Sequence, residues 1–147
     1  MLSTPAIAPA TSSDRVGLEA LLTEANLPLE GVVDAFPDGF ALARLDGAIV
    51  GAAGVERWGE HALLRSVVVA PAQRGQRLAE ALVADRIAWA RSHGATAIYL
   101  LTLSADRYFE RLGFTRLERS KLPAELAGST QLAIPVCSAA IAMTRRL

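Results

Sequence analysis

Apolar and polar positions change period several times along this chain, and each change marks an element. Leu18, Leu21 and Leu22 recur at helical spacing behind Ser13-Asp14, which predicts a capped helix. Pro28 interrupts it, Leu29 to Phe36 allows a second short helix, and Pro37-Asp38-Gly39 predicts a turn. Phe40 to Leu45 and Ala48 to Glu56 read as strands, joined at Asp46-Gly47, the two-residue signal of a type I′ hairpin. Gly59 predicts a second turn and Ala62 to Val69 a further strand. Val67-Val68-Val69 cannot all alternate in and out, which suits a strand covered on both faces. Pro71 ends it, having no N–H and a fixed φ. A long helix follows from Gln76 to His93, with Ala79, Leu82, Val83, Ile87 and Ala90 as its apolar stripe and Gly94 as its C-cap residue. Ala97 to Leu103 predicts a strand, Ala105 to Leu112 a short helix, and Phe114 to Arg119 and Ala139 to Arg145 the last strands. Ala6 to Ala10 suits a first strand within a short tail over residues 1–12.

This order is helices, an antiparallel meander, a crossover helix, then strand–helix–strand–strand. A right-handed crossover sets the Ala97 strand parallel to the Ala62 strand. The fold class is therefore α/β (α+β), with a central mixed, mostly antiparallel sheet and flanking helices. At 147 residues one domain over 1–147 is expected. Hydrophobic residues make up 52% and charged residues 20%, the profile of a folded globular chain. Net charge is zero, so no global field draws the chain to nucleic acid or to an anionic membrane. The lone Cys137 excludes an internal disulfide, and with His61 and His93 it does not make a structural metal site. No signal peptide is visible at the N-terminus, and the apolar windows Ala48 to Val55 and Leu132 to Met143 are short of a membrane span. A cytoplasmic protein is expected.

The most informative stretch is Val67 to Leu82, where a covered strand feeds the loop Arg74-Gly75-Gln76-Arg77 and the loop opens a helix. The first N–H groups of that helix lack internal partners and sit at the positive end of its dipole, an arrangement that binds phosphate or pyrophosphate. The stretch resembles the acyl-CoA signature R/Q-x-x-G-x-G/A of the GCN5-related N-acetyltransferases (GNAT). Arg74 takes its first position, Arg77 its first glycine position and Ala79 its last. The resemblance implies the GNAT fold over about residues 13 to 147, with two central strands splayed around the pantetheine arm. It implies acetyl-CoA as co-substrate, with Val67, Val68, Val69, Arg74, Gly75, Gln76, Arg77, Leu78 and Ala79 binding it, the backbone groups of Val67 and Val69 serving the thioester and pantetheine. No metal is expected, and the partner is a small-molecule amine.

Gly51-Ala52-Ala53-Gly54-Val55-Glu56, Ala62 to Val67, Tyr99 to Thr102 and Ser138-Ala139-Ala140 before Met143 are similar to one branch, the arsenic-resistance-type N-acetyltransferases. Relatives in that branch acetylate arsinothricin or phosphinothricin, which implies an anionic amino acid as acceptor. The branch usually carries Cys-Pro where Val136 and Cys137 stand.

Acetyl transfer to an amine needs a neutral amine, a stabilised oxyanion, a protonated leaving thiolate and a held substrate. Glu56, at a strand end before the Gly59 turn, is the candidate for the amine proton. Arg65 interrupts an apolar strand, and alternation puts it on the face of Leu63, Val67 and Val69. A buried guanidinium needs a partner, either an internal carboxylate such as Glu56 or the acceptor's acid group, and acceptor binding is favoured. Thr102 is a second substrate-binding candidate. The fold's usual helix F-Y-E-K-L-G-F corresponds to Tyr108 to Phe114, with Phe109 at the tyrosine position. Tyr108 is the candidate acid, yet one residue turns a helix by about 100°, which points Tyr108 elsewhere and leaves Thr102, Ser104 or water. Arg86 projects near the apolar stripe, free to pass the sheet edge, pair with a carboxylate, or face the partner in a homodimer. The competing function is a non-catalytic acyl-CoA-binding or regulatory module, to which Phe109 and Arg77 lend support.

Overall fold

The computed structural model describes residues 4–133 and 139–147, so Val136 and Cys137 lie outside the described residues. Strands Ala6–Pro9 (β1), Phe40–Leu45 (β2), Ala48–Trp58 (β3), His61–Val69 (β4), Ala97–Thr102 (β5), Thr115–Leu117 (β6) and Ile141–Arg146 (β7) form one sheet, ordered β1-β2-β3-β4-β5-β7-β6. Helices Arg15–Glu24 (α1), Val32–Ala35 (α2), Leu78–Ser92 (α3), Asp106–Arg111 (α4) and Thr130–Ala133 (α5) flank it. The β4–β5 pairing is parallel, as the crossover through α3 requires, while the other described pairings are antiparallel. Asp46 and Gly47 both have positive φ, the backbone of the expected type I′ hairpin.

The sheet is covered on both faces. Against α3 it buries Val55, Leu64, Ile98 and Leu100, with Val83, Ile87 and Ala90 from the helix and Phe109, Phe114 and Met143 alongside. Against α1 and α2 it buries Phe40, Leu42, Ala52 and Val68, with Leu18, Leu22 and Val32. Each fully buried leucine contributes about 2 kcal/mol of transfer free energy, so either layer outweighs any single surface pair. Gly54 is dictated by packing: the Phe40 ring lies 2.5 Å from where its Cβ would sit. At the start of α1, the Asp14 carboxylate accepts hydrogen bonds from Arg44 at 2.6 Å and from the Thr11 N–H at 2.8 Å. The Arg44 bond first, and the Thr11 N–H next, hold the Asp14 carboxyl below its usual value.

Two departures from strict period matter for function. Ala52 pairs with Val68 and Gly54 with Arg65, so Ala53 alone opposes both Ser66 and Val67. Ser66 takes a φ of +57° in this bulge. Leu64 and Val67, three residues apart, therefore both pack on the α3 side. Arg65 falls on the α1 side, the face of Val68, and not the face of Val67 and Val69 that alternation predicts. The second departure is where pairing stops. The β4–β5 ladder runs from His61↔Ala97 to Leu64↔Leu100 and no further, while β5 stays paired with β7 as far as Thr102. The ends of β4 and β5 diverge.

Candidate active site

A cavity of about 400 Å³ opens where the two strands part. Its walls are residues 64–67 of β4, residues 100–105 of β5 and the following turn, residues 25–28 of the α1–α2 connection, and Phe109, Gln131 and Ala140. The Ala70 N–H donates to the Val50 carbonyl on the β3 side at 2.8 Å. Backbone groups alternate along a strand, so those of Val68 also face β3 and those of Val67 and Val69 face the split. The side chains of Val67 and Val69 pack toward α3, and that of Val68 packs toward α1.

Past the end of β4, Pro71–Gln73 makes one tight turn and the chain enters residues 74–79. Gly75 has φ +82° with nothing within 4 Å of a hypothetical Cβ, so its requirement is conformational. Arg77 adopts φ +59° directly before α3, which explains a glycine preference at this position. Its side chain is exposed and does not obstruct the backbone. The helix starts at Leu78 and not at Gln76, and its first bond runs from the Ala81 N–H to the Arg77 carbonyl at 3.1 Å. Among the described residues nothing accepts from the N–H groups of Leu78, Ala79 and Glu80, and no side chain caps them. An acyl-CoA pyrophosphate fits this uncapped, dipole-positive end. Arg74 and Gln76 are exposed beside it, whereas the Leu78 side chain is core and offers its backbone alone. The Arg74 Nε also reaches the Val69 carbonyl at 3.4 Å, linking loop to split.

The carboxylate and guanidinium differ from expectation. Glu56 is not at a strand end, because β3 continues to Trp58. It is 7% exposed, does not line the split, and accepts hydrogen bonds from Arg65 at 2.9 Å and from the Trp58 indole N–H at 3.0 Å. Arg65 is 3% exposed and borders the cavity. It donates from Nη1 to Glu56, from Nη2 to the Glu30 carbonyl at 2.7 Å, and from Nε to the Ser66 hydroxyl at 3.1 Å. A buried guanidinium is tolerated on these terms, paired with a carboxylate and hydrogen-bonded around its fork. Gly31 lets the loop come this close: a Cβ there would lie 2.9 Å from Arg65 Nη1 and 3.2 Å from Thr130. Arg65 thus ties β4, β3 and the α1–α2 connection beneath α5, and the expected free acid-binding fork is already engaged.

On α4, Phe109 and not Tyr108 faces the cavity. Tyr108 is half-buried outside it, its ring edge-on to Phe109 and beside Arg111. Desolvation first, then the Glu80 charge, push its phenol above the usual value, against a smaller pull from Arg111. The catalytic position assigned to Tyr108 is therefore not in the cavity wall, for the helical-phase reason its sequence position gives. Thr102 lines the cavity and its hydroxyl oxygen accepts from the Ala105 N–H at 2.9 Å, leaving its proton to donate. Ser104 is exposed at the rim. Arg86 takes the second of its three possible fates: it is 3% exposed, doubly bonded to Asp85 and stacked over Trp89. Sequence reasoning missed Asn26 and Gln131. Both sit outside the periodic elements, and their only signal is that they are polar.

Among the described residues no helix is long and apolar enough to cross a membrane. A comparison with curated proteins finds no match. Solved structures give close fold matches. N-acetylglutamate synthase from Neisseria gonorrhoeae, complexed with coenzyme A and N-acetyl-glutamate, superposes with a TM-score of 0.79 at 20% identity, covering 100% of this chain and 36% of that one. This chain thus spans about a third of that synthase. Rv2747 from Mycobacterium tuberculosis, in complex with CoA and NLQ, gives 0.81 at 23% identity, covering 97% and 99%. A GNAT-family acetyltransferase from Staphylococcus aureus gives 0.79 at 19%, covering 98% and 99%. Residues 13–114, which hold the meander, the split strand, the loop before α3 and Phe109, match the Acetyltransferase (GNAT) family, and the chain belongs to that family.

Proposed function

We propose that this chain moves an acetyl group from acetyl-CoA to the amine of a small molecule. The observation that carries the reading is the split of β4 from β5 beyond Leu64 and Leu100, directly beside an uncapped α3 N-terminus. When bound, acetyl-CoA supplies an activated thioester carbonyl. The N–H groups of residues 78–80 hold the pyrophosphate, and the backbone groups of Val67 and Val69 align the pantetheine and polarise the carbonyl. The amine enters between the α1–α2 connection and Gln131. Glu56 is engaged with Arg65 and Trp58, so water in the cavity takes the amine proton. The Thr102 hydroxyl or water returns a proton to the leaving thiolate, in place of the tyrosine acid that Phe109 lacks.

The acceptor class rests on the resemblance to the arsenic-resistance branch and on the amino acids named with similar structures. The resemblance supports an amino acid such as phosphinothricin or arsinothricin, and with it a cytoplasmic detoxifying role, and the N-acetyl-glutamate named with the synthase structure supports an amino-acid acceptor. Arg65 being engaged, the acid group would meet hydroxyl and amide donors such as Ser66, Thr102 and Asn26. A thiol-release assay with acetyl-CoA over L-glutamate, L-glutamine, leucine, leucine amide, spermidine and phosphinothricin tests the whole reading. Release with at least one amine is expected. Coenzyme A binding by calorimetry with no release across the panel would favour the non-catalytic module. A tenfold preference for leucine amide over leucine would turn the acceptor class away from anionic amino acids.

A further inference from the structure

Among the described residues, the acceptor side of the cavity holds a buried polar atom without a hydrogen-bond partner. Gln131 is 8% exposed and lines the cavity, and its carboxamide Oε1 has no hydrogen-bond partner among the described residues. Arg65 is engaged by Glu56, Glu30 and Ser66, and the Thr102 oxygen accepts from the Ala105 N–H while its own proton stays free to donate. A buried carboxamide oxygen without a donor is costly, and folded chains retain few of them. At the edge of a substrate cavity, a ligand N–H is the partner that removes the cost.

We propose that Gln131 is a specificity residue that accepts a hydrogen bond from the acceptor's amine. The inference rests on the N-acetyltransferase reading and deepens it. Three features support the assignment. The atom is an acceptor, which suits a nitrogen carrying protons. Gln131 comes from α5, so it reaches the cavity from a different element than Val67 and Val69. Leu27, Leu64, Leu100 and Phe109 line the cavity beside it, so an amine reaching Gln131 meets a buried acceptor next to apolar wall. Such a contact orients the nitrogen toward the split.

The test uses Gln131→Leu and Gln131→Glu in the full chain, assayed by thiol release with the fastest acceptor of the panel above. Leu removes the acceptor atom with little loss of volume. Its expected effect is a tenfold or larger rise in the amine KM, with an unchanged acetyl-CoA KM and an unchanged or raised Tm. Glu keeps an oxygen acceptor and should bring the amine KM back to within about threefold of wild type. An unchanged amine KM in Gln131→Leu overturns the proposal. Equal losses in both variants overturn it too, since they would assign Gln131 a role in shape alone. A fall in Tm accompanied by a rise in both KM values would show a structural role and also overturn it. If wild type releases thiol with no amine, the functional reading fails and takes this proposal with it. If wild type turns over and Gln131→Leu matches it, this proposal fails alone.

Discussion

The two ends of the site are built from different materials. The end proposed for the pyrophosphate is backbone: helix N–H groups, a turn at Gly75, and the strand edge of Val67 and Val69. The end proposed for the acceptor is side chains: Arg65 locked between Glu56, Ser66 and a loop carbonyl, with Gln131 in the same cavity wall. Backbone binding tolerates changes of side chain so long as φ and ψ survive, which is why an arginine can stand at a glycine position. Side-chain construction tolerates little. Removing one member of a buried pair leaves the other charged and unpaired.

The largest effect should come from breaking the acceptor end. Glu56→Ala leaves the Arg65 guanidinium buried without its carboxylate, and a loss of about 3–5 kcal/mol is expected, read by denaturant unfolding. A loss under 1 kcal/mol would mean that the pair is solvated and free to serve the substrate. At the other end, Gly75→Pro forces a φ near −65° where +82° is needed and removes an N–H. Calorimetry should show coenzyme A affinity falling roughly a hundredfold, about 2.7 kcal/mol, in a protein that still folds.

Smaller changes sharpen the contrast. Arg77→Gly relieves a left-handed arginine and should stabilise the chain by about 1 kcal/mol, with coenzyme A affinity kept within about tenfold. A larger loss of affinity would show that the guanidinium itself contacts phosphate. Asp14 gives a pH test on the α1 side. Its folded carboxyl titrates below the unfolded value of about 3.9, so its contribution is full above that value and is lost as pH falls through the folded one. Asp14→Ala should therefore be less stable than wild type at pH 6, and the two should converge as acid protonates the carboxyl. Tyr108→Phe should be the mildest change, with kcat within about threefold of wild type, because the phenol lies outside the cavity. A hundredfold fall would restore it as the general acid.

The backbone end was legible in the sequence for the same reason that it is robust. Three valines, a proline, a glycine and a helical stripe are local signals, and the loop they specify is local. The meander was legible through Asp46-Gly47 and Gly59. The acceptor end was not, because its geometry depends on a bulge at Ser66 and on where β3 ends. Neither leaves a mark in the period of the flanking residues. Counting in twos from Leu63 put Arg65 beside Val67, and one inserted residue reversed that. Glu56 was expected before a turn, but β3 runs two residues longer and buries it. Gln131 carried no local signal because its significance is the lack of a partner, which only the assembled chain reveals.

The sheet is joined across its middle by a ladder of four residue pairs, His61↔Ala97 to Leu64↔Leu100. On one side lie β1 to β4, and on the other β5, β7 and β6. A ligand lodged in the gap would act as a splint between these halves, adding backbone bonds where the ladder stops. Its binding energy would then appear far from the reacting atoms, as slower amide hydrogen exchange in β6, at the far edge of the sheet. In such a protein, cofactor supply in the cell would govern lifetime as well as turnover.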